Sequence, residues 1–150
     1  MTQGFGRVFL FTGSFFTALL FTALFWAGPG VHAQDDAVQA ARASADSWLE
    51  LVDAGKYAES WEAAAAIFKK QVSKEQWVDA VGEVRKPLGK VKSRKLASAT
   101  PREDLPNAPP GQYVIIQFDT VFENREGAVE TIVPAQDEAG NWKVSGYFVK

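Results

Sequence analysis

The sequence contains no cysteine. That excludes disulfides, thiolate metal sites, cysteine nucleophiles and lipid attachment through cysteine. Histidine is almost missing as well: His32 is the only one, as Met1 is the only methionine. Acids are missing from one stretch, "VRKPLGKVKSRKL" at residues 84–96, which carries Arg85, Lys86, Lys90, Lys92, Arg94 and Lys95. Yet the 150-residue chain has a formal net charge of −2, a balance that argues against a general nucleic-acid binder. With 47% hydrophobic and 23% charged residues, the composition fits one domain with a real core rather than disorder.

What is present begins with a short polar start, "MTQGFGR", and an apolar run, "VFLFTGSFFTALLFTALFWA". "GPGVHAQDD" follows, in which Gly28, Pro29 and Gly30 are expected to break a helix. Val31 and Ala33 fit the small-residue rule of leader peptidase, so residues 1–33 read as a signal peptide cleaved between Ala33 and Gln34. The rival reading is an uncleaved anchor, since about 20 apolar residues span a bilayer. No Arg pair marks the twin-arginine route, which leaves the general secretory route. The expected location is the periplasm of a Gram-negative bacterium. His32 leaves with the leader, so the remaining chain, 34–150, has neither His nor Cys. Ser–His and Cys–His catalysis are then excluded within one chain. A zinc site would need carboxylates alone, and no metal or cofactor is expected.

Within 34–150 the apolar pattern has helical spacing first. Ala37, Ala40, Ala41, Ala45, Trp48, Leu51 and Val52 share one face, with Asp35 or Asp36 as a cap and Gly55 as a stop. "KYAESWEAAAAIFKK" predicts a second helix with Tyr57, Trp61, Ala64, Ala65 and Phe68 on one face. Ser73 and Gln76 form a capping box for a third, with Val72 and Trp77 as a hydrophobic staple. Its buried stripe is expected to be Trp77, Ala80, Val81 and Val84, ending near Lys86 before Pro87 and Gly89. The period then falls toward two. "GKVKSRKLASAT", "QYVIIQFDTVFE", "AVETIVPAQ" and "WKVSGYFVK" predict four strands joined by turns and a proline-rich loop. Pro134 implies an edge or bulge, and Gly146 a bend or bulge. Helices followed by strands imply an α+β fold, helices on one face of an antiparallel sheet.

Several stretches together carry a resemblance: "AADSWL-LVD-GKYAESWE-AA--FK--VS-EQW", "R-PLG-V-SR-L", "ET-V" and "G-W-V-GYF". Here they are Ala45 to Trp77, with Ser44 where Ala is expected, then Arg85 to Leu96, Glu130 to Val133, and Gly140 to Phe148. The chain resembles a secreted bacterial family known as a domain of unknown function, number four thousand and nineteen. The resemblance implies a cystatin-like, nuclear-transport-factor-two-like cone: three helices on a curved four-stranded antiparallel sheet, often around a pocket. It implies no activity and no site residue.

Three sets of residues are candidates for function. Lys90, Lys92 and Arg94 alternate on a strand, giving either an anion patch for lipid phosphate or a solvated edge, while Arg85 and Lys86 suit a helix C-terminus. Trp61, Trp77 and Tyr113 are candidates for an apolar ligand site, though Trp48, Trp61 and Trp77 sit on inner helical stripes and suit a core. Tyr113 and Asp119 share a strand face and could act as proton donor and base on a carbonyl substrate if that face lined a cavity. The reading that results is a non-catalytic periplasmic binding or interaction module for a small apolar ligand, a protein partner or a second copy. The alternatives are an isomerase- or hydratase-like enzyme using Tyr113 and Asp119, or an envelope protein docking anionic lipid.

Overall fold

The computed structural model describes residues 29–150. The expected leader, 1–33, therefore lies mostly outside the described residues. Four helices come first: α1 (Pro29–Asp53), α2 (Tyr57–Ala63), α3 (Ala66–Gln71) and α4 (Lys74–Leu88). Four strands follow: β1 (Val91–Arg102), β2 (Tyr113–Phe122), β3 (Arg125–Gln136) and β4 (Trp142–Val149). They form one antiparallel sheet in the order β1-β2-β3-β4. Among the described residues no helix is long and apolar enough to cross a membrane.

The α+β class stands, but the cone of three helices and a curved sheet is corrected on two counts. The sheet is an open meander: its edges, β1 and β4, do not meet. Among the described residues the helices number four, because the second predicted helix is interrupted at Ala64 and Ala65, both extended with ψ of 165° and 150°. The break has a physical return. It frees the Ala65 amide to donate to Val144 O of β4 at 2.8 Å, while both alanines stay buried.

The capping box is formed: Gln76 N donates to Ser73 Oγ at 3.2 Å, and Ser73 N to Gln76 Oε1 at 3.0 Å. At the other end α4 runs past Pro87 to Leu88, further than expected. Proline in the last turn forfeits only a bond to an exposed carbonyl, and the β2–β3 turn caps the helix instead. Asn124 N donates to Leu88 O at 3.0 Å and Asn124 Nδ2 to Pro87 O at 3.1 Å. Gly89 then reverses the chain at φ +75°, where a Cβ would lie 2.8 Å from Glu123 Oε2. The first helix begins earlier than expected. Pro29 opens it, as proline can at a first helical position, and Asp35 and Asp36 lie inside it rather than capping it.

The core lies between α1, α4 and the inner sheet face. Ala41, Ala45, Trp48, Leu49 and Val52 of α1 meet Val114, Ile116, Phe118, Ile132 and Val144. The small alanines let α1 approach the sheet closely, and Trp48 and Trp77 fill the remaining depth. The alternation expected of β2 is present: Val114, Ile116, Phe118, Thr120 and Phe122 are buried, whereas Gln117 and Asp119 are exposed. Pro134 marks a bulge in an interior strand, since the β3–β4 register shifts between Val133 and Pro134, beside Gly146.

Candidate functional site

The buried stripe of α4 is rotated from the expected one. Trp77, Val81, Gly82, Arg85 and Leu88 face inward, while Val84 is 46% exposed. Arg85 thus enters the interior at the foot of α4. Arg94 reaches the same place from β1, because its partner Thr120 is an inward-facing residue of β2. Glu130 arrives from β3, flanked on its own face by Ala128 and Ile132, and is 0% exposed. Asp53 closes the cluster from the last residue of α1, and Tyr147 from β4.

The five side chains, with Thr120, form one charge-balanced network. Arg94 makes two forks. Its Nε donates to Glu130 Oε2 at 2.6 Å and its Nη2 to Glu130 Oε1 at 3.2 Å. Its Nη1 and Nη2 also donate to Asp53 Oδ2 and Oδ1 at 2.7 and 3.0 Å. Arg85 donates through Nη2 to Asp53 Oδ1 at 2.7 Å, and through Nη1 to Tyr147 Oη at 3.0 Å and Glu130 Oε1 at 3.4 Å. Its plane lies over Phe122, 5.0 Å from the ring centroid. The Tyr147 and Thr120 hydroxyls each donate to Glu130 at 2.6 Å. Both oxygens of Glu130 are therefore engaged by several donors at once, and two arginines balance two carboxylates.

Burial dictates this arrangement. Each charge costs several kcal/mol to remove from water, and only dense hydrogen bonding to opposite charge offsets that. Burial alone would raise the pKa of Asp53, but bonds from Arg94 and Arg85 hold it below the usual carboxylate value. Burial would lower both arginines, yet their partners hold both above the ordinary value. Burial, with Glu130 beside it, pushes Tyr147 well up, so its hydroxyl stays protonated. A general base needs a free lone pair facing a substrate. Here the buried carboxylate has none to spare, and the network instead ties α1, α4 and all four strands together.

The sequence-predicted candidates are dispersed. Arg94 is committed to the network, so it does not join Lys90 and Lys92, which are exposed, in an anion patch. Lys92 occupies a register shift of β1. Tyr113 and Asp119 share the outer sheet face, but six residues along a strand is about 20 Å. Asp119 is exposed, whereas Tyr113 is buried beneath Leu105 and Ala108 and donates its hydroxyl to Pro109 O at 2.6 Å. Trp77 is core: its ring lies 5.6 Å from that of Trp48, and its Nε1 donates to Ser60 Oγ at 3.0 Å. Trp61 is half-buried, donates to Val72 O at 2.9 Å, and lies under the ammonium groups of Lys69 and Lys74. Ala33 and Gln34 lie within α1, beside an open cleft reaching to Arg102 and Trp142. No group of three or more potential metal ligands occurs among the described residues.

Sequence reasoning missed Asp53, Glu130, Tyr147 and Thr120 and gave Arg85 an exposed role. The signal lay in the stretches of the resemblance: "LVD", "R-PLG", "SR-L", "ET-V" and "GYF" each supply one member of the network.

One further surface stands out. Of the three large hydrophobic side chains that are exposed among the described residues, Val84 and Phe148 line one shallow groove beside β4. Its floor is Trp77, Val81 and Tyr147, and its volume is about 330 Å³.

Fold and site together define an α+β meander domain pinned by a buried ion network. More particularly, the chain belongs to the family described as protein of unknown function (DUF4019), whose profile matches residues 44–147. No curated protein and no solved structure matches the chain.

Proposed function

We propose that this chain is an exported, non-catalytic interaction module whose partner surface is the β4 side of the sheet. One observation carries the reading: the buried charges pair with one another, while Phe148, 59% exposed, and Val84 share a groove. Ionic groups spent on internal bonds are poor catalysts, and clustered exposed apolar side chains suit protein contact. Export rests on the apolar run and the small residues before Gln34. Cleavage there would remove only the first turn of α1 and leave the helix from Gln34 to Asp53.

The test is site-specific photocrosslinking in cells that make the chain. A photoreactive residue at 148 should give discrete adducts, and one at exposed Lys56 should not. Equal labelling at both positions, or none at 148, refutes the reading.

A further inference from the structure

The two edges of the sheet are treated differently. The β1 edge carries Lys92, Lys95 and two register shifts, the kind of features that keep an edge from pairing. Among the described residues the β4 edge is protected only toward its start, where Trp142 O accepts from Ser44 Oγ and Val144 O from Ala65 N, each at 2.8 Å. Val129 and Lys150 exchange both backbone bonds, each at 3.0 Å. In an antiparallel ladder the next such pair lies two residues on, at Thr131 and Phe148, which are register partners. The amides and carbonyls of Tyr147 and Val149 therefore point away from β3. Among the described residues neither has a backbone partner beyond the strand.

This open edge lies between two apolar hollows. The Val84 groove flanks it on the helix side, and a smaller hollow lined by Ile67, Leu105 and Phe148 flanks it on the outer side. The charges along "WKVSGYFVK" are Lys143 and Lys150, with no acid. Both lie on the outer face with Phe148, since Lys143 partners Ala135 and Phe148 partners Thr131. A second copy would bring lysines to lysines. An acidic strand would complement them.

Resting on the interaction-module reading, we propose that the β4 edge over Tyr147–Val149 takes an extended peptide segment of a partner by strand addition. The apolar centre of that segment packs on Phe148 and into the Val84 groove, and its acidic flanks meet Lys143 and Lys150. Backbone bonds supply affinity in this mode, and side-chain pockets supply choice.

The test uses the full chain and two labelled peptides, Glu-Val-Phe-Val-Thr-Val-Glu and its counterpart with Lys at both ends, followed by fluorescence anisotropy. At low salt the Glu-flanked peptide should bind about tenfold tighter, the worth of two rim ion pairs. The K143E/K150E variant should reverse that order. Val149→Pro deletes an outward amide that β3 does not use, and should abolish binding with only a modest fall in the unfolding midpoint, since its side chain packs at the margin of the Leu88, Phe122 and Ala128 cluster. Phe148→Ser provides the same test should the proline variant fail to fold. Equal affinity for both peptides, no binding of either, or a dimer that forms through this edge and is lost in Phe148→Ser would overturn the proposal. Should neither peptide bind while crosslinking at 148 persists, strand addition fails and the module reading stands. Loss of both would end the module reading too.

Discussion

Glu130→Ala is the sharpest perturbation of the buried network. The substitution removes a carboxylate that is 0% exposed and leaves Arg85, 4% exposed at its side chain, and Arg94, 16% exposed, with one counter-charge between them. It also strips the Tyr147 and Thr120 hydroxyls of their acceptor. Breaking a buried pair in this way costs about 3–5 kcal/mol. Against a total stability of about 5–15 kcal/mol, that is about a fifth or more of the whole. At about 4 °C per kcal/mol the melting temperature should fall by about 12–20 °C. Urea unfolding followed by tryptophan fluorescence reads it well, since the Trp48 and Trp77 rings lie 5.5 and 6.3 Å from that of Tyr147. The midpoint should shift without a change in m. Replacing the charges together (Arg85→Met, Arg94→Met, Asp53→Asn, Glu130→Leu) should recover most of the loss, because desolvation disappears with the attraction. A loss below about 1 kcal/mol for Glu130→Ala, or the same loss in an Arg94→Met background, would refute the claim that these charges act as one unit.

Other outcomes follow from the same structure. Because the pKa of Asp53 is depressed on folding, its contribution is present above its unfolded value, near 3.8, and is lost as pH falls through the folded value. An acid titration of stability should show that loss, and Asp53→Asn should flatten it. Tyr147 has the opposite sign: its pKa is raised, so stability should decline once pH exceeds the unfolded value of 10.0, and Tyr147→Phe should remove that decline. Ser73→Ala deletes half of the capping box and should cost about 1 kcal/mol in denaturant unfolding. Gly89→Ala places a Cβ 2.9 Å from Glu123 Cβ at positive φ, and should cost about 1–3 kcal/mol. Chain recovered from the cell envelope should have the mass of residues 34–150. Retention of residues 1–33 would favour the anchor.

The α+β class, the four strands, the capping box and the inward face of β2 were legible because period and capping chemistry are local. The break at Ala64 and Ala65 was not. Alanine favours a helix, and what overrides it is a bond to Val144, 79 residues on in the chain. The phase of α4 was misjudged for a related reason. Val84 looked apolar enough to be inside and Arg85 charged enough to be outside, but the partners that make Arg85 welcome come from α1, β3 and β4. A buried charge is invisible to a rule that sorts residues by polarity. It becomes visible only when its counter-charges are placed, and Asp53 and Glu130 are 77 residues apart. The cone failed because resemblance carries a family's general shape, whereas the edges of this sheet are set by its own strand order.

The most direct measurement is amide hydrogen exchange along β4 in dilute full chain, alone and with the Glu-flanked peptide. Exchange should be slow at Phe148 and Lys150, whose amides bond to β3. It should be at least about a hundredfold faster at Tyr147 and Val149, slowing when the peptide is added. Protection of Tyr147 and Val149 in the dilute chain alone would mean that the edge is already covered, and would contradict a free docking strand.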